Sequence, residues 1–271
     1  MSEVRISASA TIDEAAELVA RIAAPWVGLL WLTSVPVRLL QAHFAGRILE
    51  LRAESAEYGD LLRSIALLTL AALLLSLAGR AAFVRAVWLG LRADGPPGRE
   101  ALRVPWGSLL AYFYTALLFE ALFYAFGFTC VGLPVCIVAA GLAAAHVPVT
   151  EQPGLIQPLR AVAQALGQGR VLCALLFVFT AALVVALVNL YFAFELGLWL
   201  AGAVPGLDRS AWIVMLSGSN PRFVLALLAG ASLLVEPFWL AALTVFVYRL
   251  RSRESGEDLR LWFARLAREA T

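Results

Sequence analysis

The chain has no lysine: all 21 of its basic residues are arginine. That bias reads as GC-rich coding and carries no functional weight. Charge of either sign is scarce, 15% of the residues against about 25% in a typical soluble domain, which argues against a water-soluble fold. A net charge of +2 is too small to suggest nucleic acid as a partner. The three cysteines, Cys130, Cys136 and Cys173, lie inside apolar segments, where a thiol behaves as a small hydrophobe, so no disulfide framework is implied. There are only two histidines, His43 and His146, and neither has a neighbour at metal-ligand or acid–base spacing. HExxH, GxSxG and phosphate-loop motifs are missing, and no aspartate falls inside a long apolar segment. No catalytic residue, metal or cofactor is therefore expected, and the chain is read as a non-enzyme.

What is present in quantity is apolar sequence. Hydrophobic residues make up 62% of the chain, mean hydropathy is +0.84, and the apolar residues lie in long blocks instead of at amphipathic spacing. A bilayer core of about 30 Å needs about 20 helical residues. Six segments qualify: residues 22–40, 62–82, 107–127, 131–149, 171–195 and 223–248. Gly127, Gly132 and Pro134 mark a tight turn between the third and fourth. Arg63 and Arg80, at the margins of the second, are expected to snorkel toward the interfaces. The early residues hold Glu3, Asp13, Glu14 and Glu17 against Arg5, unlike a basic signal peptide, so the first apolar segment is expected to remain in the protein.

With the N-terminus inside, fifteen arginines fall on the cytoplasmic side of this map and six outside, a bias that places both ends in the cytoplasm. Each odd-numbered span follows a short cytoplasmic stretch of amphipathic character: IDEAAELVARIAAPW from Ile12, GREALRVPW from Gly98 and IQPLRAVAQALGQGR from Ile156. In the third, Leu159, Val162, Ala163 and Leu166 stand at i, i+3, i+4 and i+7. Residues 255–270 close the chain with a fourth such stretch. The expected fold is thus all-α: one transmembrane domain over 1–271, built as three hairpins, each led by a surface helix. An alternative is that these stretches are simply the arginine-bearing linkers every polytopic protein carries. The outward loop 203–222 holds the apolar run AWIVML, suited to resting in the interface or meeting another subunit.

Two stretches resemble a known family. TIDEAAELVARIAAPWVGLLWLTSVPVRLL, residues 11–40, is a polar helix followed by a span ending near a proline. PFWLAALTVFVYRLRSRESGEDLRLW, residues 237–262, runs from proline through an apolar helix to tyrosine, arginines and a glycine-acidic-leucine turn. Both, together with 148–170, resemble a bacterial family of six-span membrane proteins related to the membrane domain of glycerophosphodiester phosphodiesterases. The resemblance implies a multi-pass fold in the bacterial cytoplasmic membrane. It does not imply hydrolysis, because no soluble segment here is long enough to supply the catalytic barrel.

The sharpest chemical signal is a pair of carboxylates, Glu120 and Glu236, each near the middle of its expected span. An ionised carboxylate there costs at least about 2.5–3.5 kcal/mol, so each must be paired, neutralised or facing a cavity. One reading has the two lining a common polar site with Asn189 and Tyr124. The other has each as a protonated carboxyl, hydrogen-bonded to a neighbouring helix and serving packing alone. Pro237 leaves the carbonyl of Leu233 without its helical donor and should kink the sixth span. The expected function is a non-catalytic membrane subunit or scaffold, with lipids and other membrane proteins as partners. A transporter or lipid-handling protein using Glu120 and Glu236 is the alternative.

Overall fold

The computed structural model describes residues 6–22, 24–50, 56–92, 97–126, 133–150, 157–203 and 210–255. Among them the regular structure is all helical: α1 (Ala8–Ile22), α2 (Ala24–Glu50), α3 (Ala56–Arg92), a 3-10 turn (Arg99–Leu102), α4 (Trp106–Phe126), α5 (Leu133–Ala145), α6 (Val147–Thr150), α7 (Gln157–Leu166), α8 (Gly169–Ala201), α9 (Ser210–Met215) and α10 (Pro221–Ser255). Among the described residues, three stretches are long and apolar enough to cross a membrane: Arg63–Arg92, Gly169–Ala201 and Pro221–Arg253. A fourth joins them if α1 and α2 count as one span, whereas the apolar parts of α4 and of α5 with α6 are shorter, Trp106–Leu122 and Ile137–Thr150. The closing amphipathic stretch, 255–270, lies outside the described residues except for its first position.

The chain divides into two compact units: Met1–Val27, Arg80–Phe177 and Phe238–Thr271 form one, Gly28–Gly79 and Val178–Pro237 the other. Helices α2, α3, α8 and α10 each contribute to both.

The first unit is assembled on small residues. Ala139, Ala140, Ala143 and Ala144 of α5 are buried, and α5 packs against both α4 and α7. Gly141 sits so close to the ring of Phe119 on α4 that a β-carbon would have no room. Close backbone approach of this kind is how helices gain dispersion contacts without large interlocking side chains. At the C-terminal end of α3, Trp88 meets Tyr248 of α10 edge-on at 5.4 Å, and the Arg92 guanidinium lies 4.8 Å over the Trp88 ring.

Three expectations change in this unit. The apolar face of α1, formed by Thr11, Ala15, Leu18, Val19 and Ile22, is buried within the protein, with Ile22 beside Gly90 of α3. Arg249 of α10 holds this helix through Glu14 Oε2 at 2.6 Å, Thr11 Oγ1 at 3.2 Å and the Ala10 carbonyl at 3.2 Å. That face is taken by neighbouring helices instead of lying on a membrane surface. The stretch from Gly98 makes only one 3-10 turn, since the Pro96-Pro97 pair precedes it and Pro105 follows. Finally, α3 does not stop near residue 82: Ala, Val and Leu continue it to Arg92, and the Gly95-Pro96-Pro97 breaker comes only after that.

In the second unit α2 and α3 also approach closely. Gly79 leaves no space between its backbone and Thr33, and the buried hydroxyls of Ser34 and Ser76 lie 3.2 Å apart. Helix α10 is preceded by Asn220, whose Oδ1 accepts the N–H of Arg222 at 3.1 Å, and starts with Pro221 at the position where a missing N–H costs nothing. The carbonyl freed by Pro237 has found a donor: the indole N–H of Trp31 on α2 reaches Leu233 O at 2.8 Å. Helix α8 is apolar and mostly uncovered, with Val184, Val185, Val188, Phe192, Leu196 and Trp199 all exposed. On α9, Trp212, Ile213, Val214 and Met215 are exposed as well.

Candidate functional site

Glu120 is ionically paired. In the first unit its carboxylate accepts a hydrogen bond from Nη1 of Arg80, and the two side chains are 26% and 9% exposed. Helix α3 places the arginine and α4 the carboxylate, and the register explains why they meet. Arg80 stands twelve residues before the end of α3, about 18 Å along its axis, and Glu120 fourteen residues after the start of α4, about 21 Å. With the end of α3 level with the start of α4, the two charges face each other. Arg80 was expected to snorkel; it is instead an interior residue of a longer helix, buried against its counter-charge.

Beside this pair lies His146, 2% exposed, in the turn that separates α5 from α6. Pro148 lacks the N–H that would continue α5, and the His146 carbonyl takes up Val149 N, Thr150 N and Thr150 Oγ1 at 3.0–3.2 Å. The ring bonds across to α10: Nδ1 lies 3.1 Å from Thr244 Oγ1, and that hydroxyl donates to Leu240 O at 2.7 Å. With its proton committed to the carbonyl, the threonine oxygen accepts, which assigns the hydrogen to Nδ1 of the imidazole. The Tyr112 ring, also buried, stands 6.3 Å from the imidazole, and the Arg80 charge is close enough to act on it. Thr115 is satisfied within its own helix, bonding Ala111 O at 2.7 Å. The result is a buried polar core tying α3 to α4 and the α5–α6 turn to α10.

The chain matches no family model, no curated protein and no solved structure. The resemblance read from residues 11–40, 148–170 and 237–262 accordingly rests on those residues alone.

The other sequence candidates lie elsewhere. Glu236, 6% exposed, belongs to the second unit, directly before Pro237. Asn189 is on α8 in the same unit and is exposed. The backbone of Tyr124 lies in the last turns of α4, and its side chain is outside the described residues. Arg80, His146 and Thr244 were missed as a group. For Arg80 a signal existed: counting back from the Gly95-Pro96 breaker puts it more than three turns inside a helix, where an arginine needs an anion. Among the described residues, no three His, Cys, Asp or Glu side chains gather closely enough to hold a metal ion.

Proposed function

We propose that the chain is an integral membrane protein of about six spans, both ends cytoplasmic, and that it serves as a non-catalytic subunit or scaffold of a membrane assembly. One observation carries this reading: the intramembrane carboxylate that would mark a binding or transport site, Glu120, is neutralised by Arg80 of the same unit. A transport carboxylate has to exchange its partner for a proton or a solute, whereas a fixed internal pair locks helices at the depth where mismatch is most costly. The uncovered apolar surface of α8 and α9 adds area for lipid and for other membrane proteins. Tyr191, Phe192, Phe194, Trp199 and Trp212, near the end of α8 and on α9, match the aromatic band found at membrane interfaces. Leaving out Arg80 and Arg85, which lie well inside α3, the cytoplasmic side of the six-span map still holds thirteen arginines against at most six, so the inferred orientation is unchanged.

The test is gentle detergent extraction followed by identification of what co-purifies. A stable stoichiometric protein partner is the expected result. A protein that runs alone, or that retains a stoichiometric solute lost on Glu120→Gln, contradicts the scaffold reading.

A further inference from the structure

Helix α7 divides its circumference into three faces, and the one that is fully buried carries only small residues. Successive residues advance about 100° around a helix. With Pro158 set at zero, Ala161 and Ala165 fall within about 60° of it, and these three are buried, against α5 and α6. Val162, Leu166, Leu159 and Ala163 occupy the arc from about 40° to 140°. Leu159 and Ala163 are exposed, Val162 and Leu166 half-buried. Arg160 and Gln164 fall near 200° and 240°. Arg160 is exposed, as is Arg170 one turn beyond the helix, and Gln164 is half-buried. The three arcs are centred about a third of a turn apart. The apolar stripe legible in the sequence is therefore not the face that packs. The helix makes its fully buried contact with small residues and leaves Leu159 exposed and Val162 and Leu166 half-covered, bordered by arginine.

We propose that α7 lies at the line where protein, hydrocarbon and water meet, its Leu159, Val162, Ala163 and Leu166 face entering an anionic leaflet and Arg160 reaching the lipid phosphates. The inference rests on the membrane reading above and adds to it a lipid contact site. A helix buried on all sides would have no exposed Leu159; one standing in water would have no continuous aliphatic arc between its protein face and its arginine. The paired requirement of aliphatic face and flanking cation is what an anionic lipid surface satisfies.

The test is collisional accessibility of nitroxide labels on the full chain, with the three cysteines changed to alanine, in vesicles of phosphatidylcholine and phosphatidylglycerol. Labels go on Ala163→Cys, Gln164→Cys and Val185→Cys, the last on the exposed side of α8. Position 163 should favour oxygen over a water-soluble nickel complex, 164 the reverse, and 185 oxygen. Arg160→Gln should move the label at 163 toward water in these vesicles and leave 185 unchanged. If 185 is lipid-embedded while 163 and 164 are both water-accessible, or both oxygen-accessible, the placement of α7 is overturned and the membrane reading stands. Water access at 185 overturns the membrane reading itself. An Arg160→Gln variant identical to its parent overturns the phosphate contact.

Discussion

Neutralising one member of the Arg80–Glu120 pair should harm the protein unequally, depending on which member is lost. Glu120→Gln leaves a guanidinium that cannot give up its charge, in a site where the side chain of Arg80 is 9% exposed. Breaking a buried ion pair by removing one partner costs about 3–5 kcal/mol. Arg80→Gln leaves a carboxyl, which can bind a proton and become neutral, so its cost falls toward that of a poorly satisfied polar group, about 1–3 kcal/mol. The double variant Arg80→Gln/Glu120→Gln removes both charges and keeps two amides able to bond each other, so it should be more stable than Glu120→Gln alone. Thermal unfolding in mild detergent, followed by fluorescence-detected size exclusion for the monodisperse fraction, reads the order: parent, then the double variant and Arg80→Gln, then Glu120→Gln lowest. Additive effects of the two substitutions, or Arg80→Gln falling below Glu120→Gln, would refute the idea that this ion pair locks α3 to α4.

Gly141→Leu should lower stability by about 1–3 kcal/mol or more, because the Phe119 ring occupies the space a side chain would need, and thermal unfolding measures it. Trp31→Phe keeps an aromatic ring but removes the N–H that serves Leu233 O, at a cost of about 1–3 kcal/mol. Adding Pro237→Ala supplies a backbone N–H to the same carbonyl, so Trp31→Phe/Pro237→Ala should recover much of that loss; a double variant no better than Trp31→Phe contradicts the role assigned to the indole. Thr244→Val should cost about 1 kcal/mol through the lost bond to His146 Nδ1, and His146→Ala on top of it should add less than it does alone, a coupling that a double-mutant cycle reads directly.

Much of the helical layout was written in the apolar blocks: α4 spans Trp106–Phe126 where 107–127 was expected, and α8 and α10 overlap the fifth and sixth segments. The freed carbonyl at Leu233 was also legible, since a proline removes a donor at a fixed offset; its partner Trp31, 202 residues away, was not. The length of α3 was misjudged because arginines were treated as markers of a membrane boundary, although an arginine with a facing glutamate can continue inside. Sequence periodicity also shows which positions of a helix are apolar without saying what each covers. For α1 the apolar face meets protein, and for α7 the alanine face does, leaving Leu159 outside. Nothing local separates these two cases, because the deciding factor is the tertiary contact of α7 with α5 and α6. Asn189 and Glu236 belong to one unit and Glu120 to the other, a partition fixed by long-range packing.

The bond from Trp31 to the Leu233 carbonyl also bears on the order in which the protein can be completed. A carbonyl stripped of its donor costs several kcal/mol in hydrocarbon until something serves it. During synthesis the donor, on α2, emerges well before the needy carbonyl, on α10. An early helix thus waits with a vacant N–H for a late one, and the late helix finds its full complement of bonds only against a segment already in place. A fragment lacking α2 would leave α10 with this gap, so α10 completes its hydrogen bonds only with α2 in place.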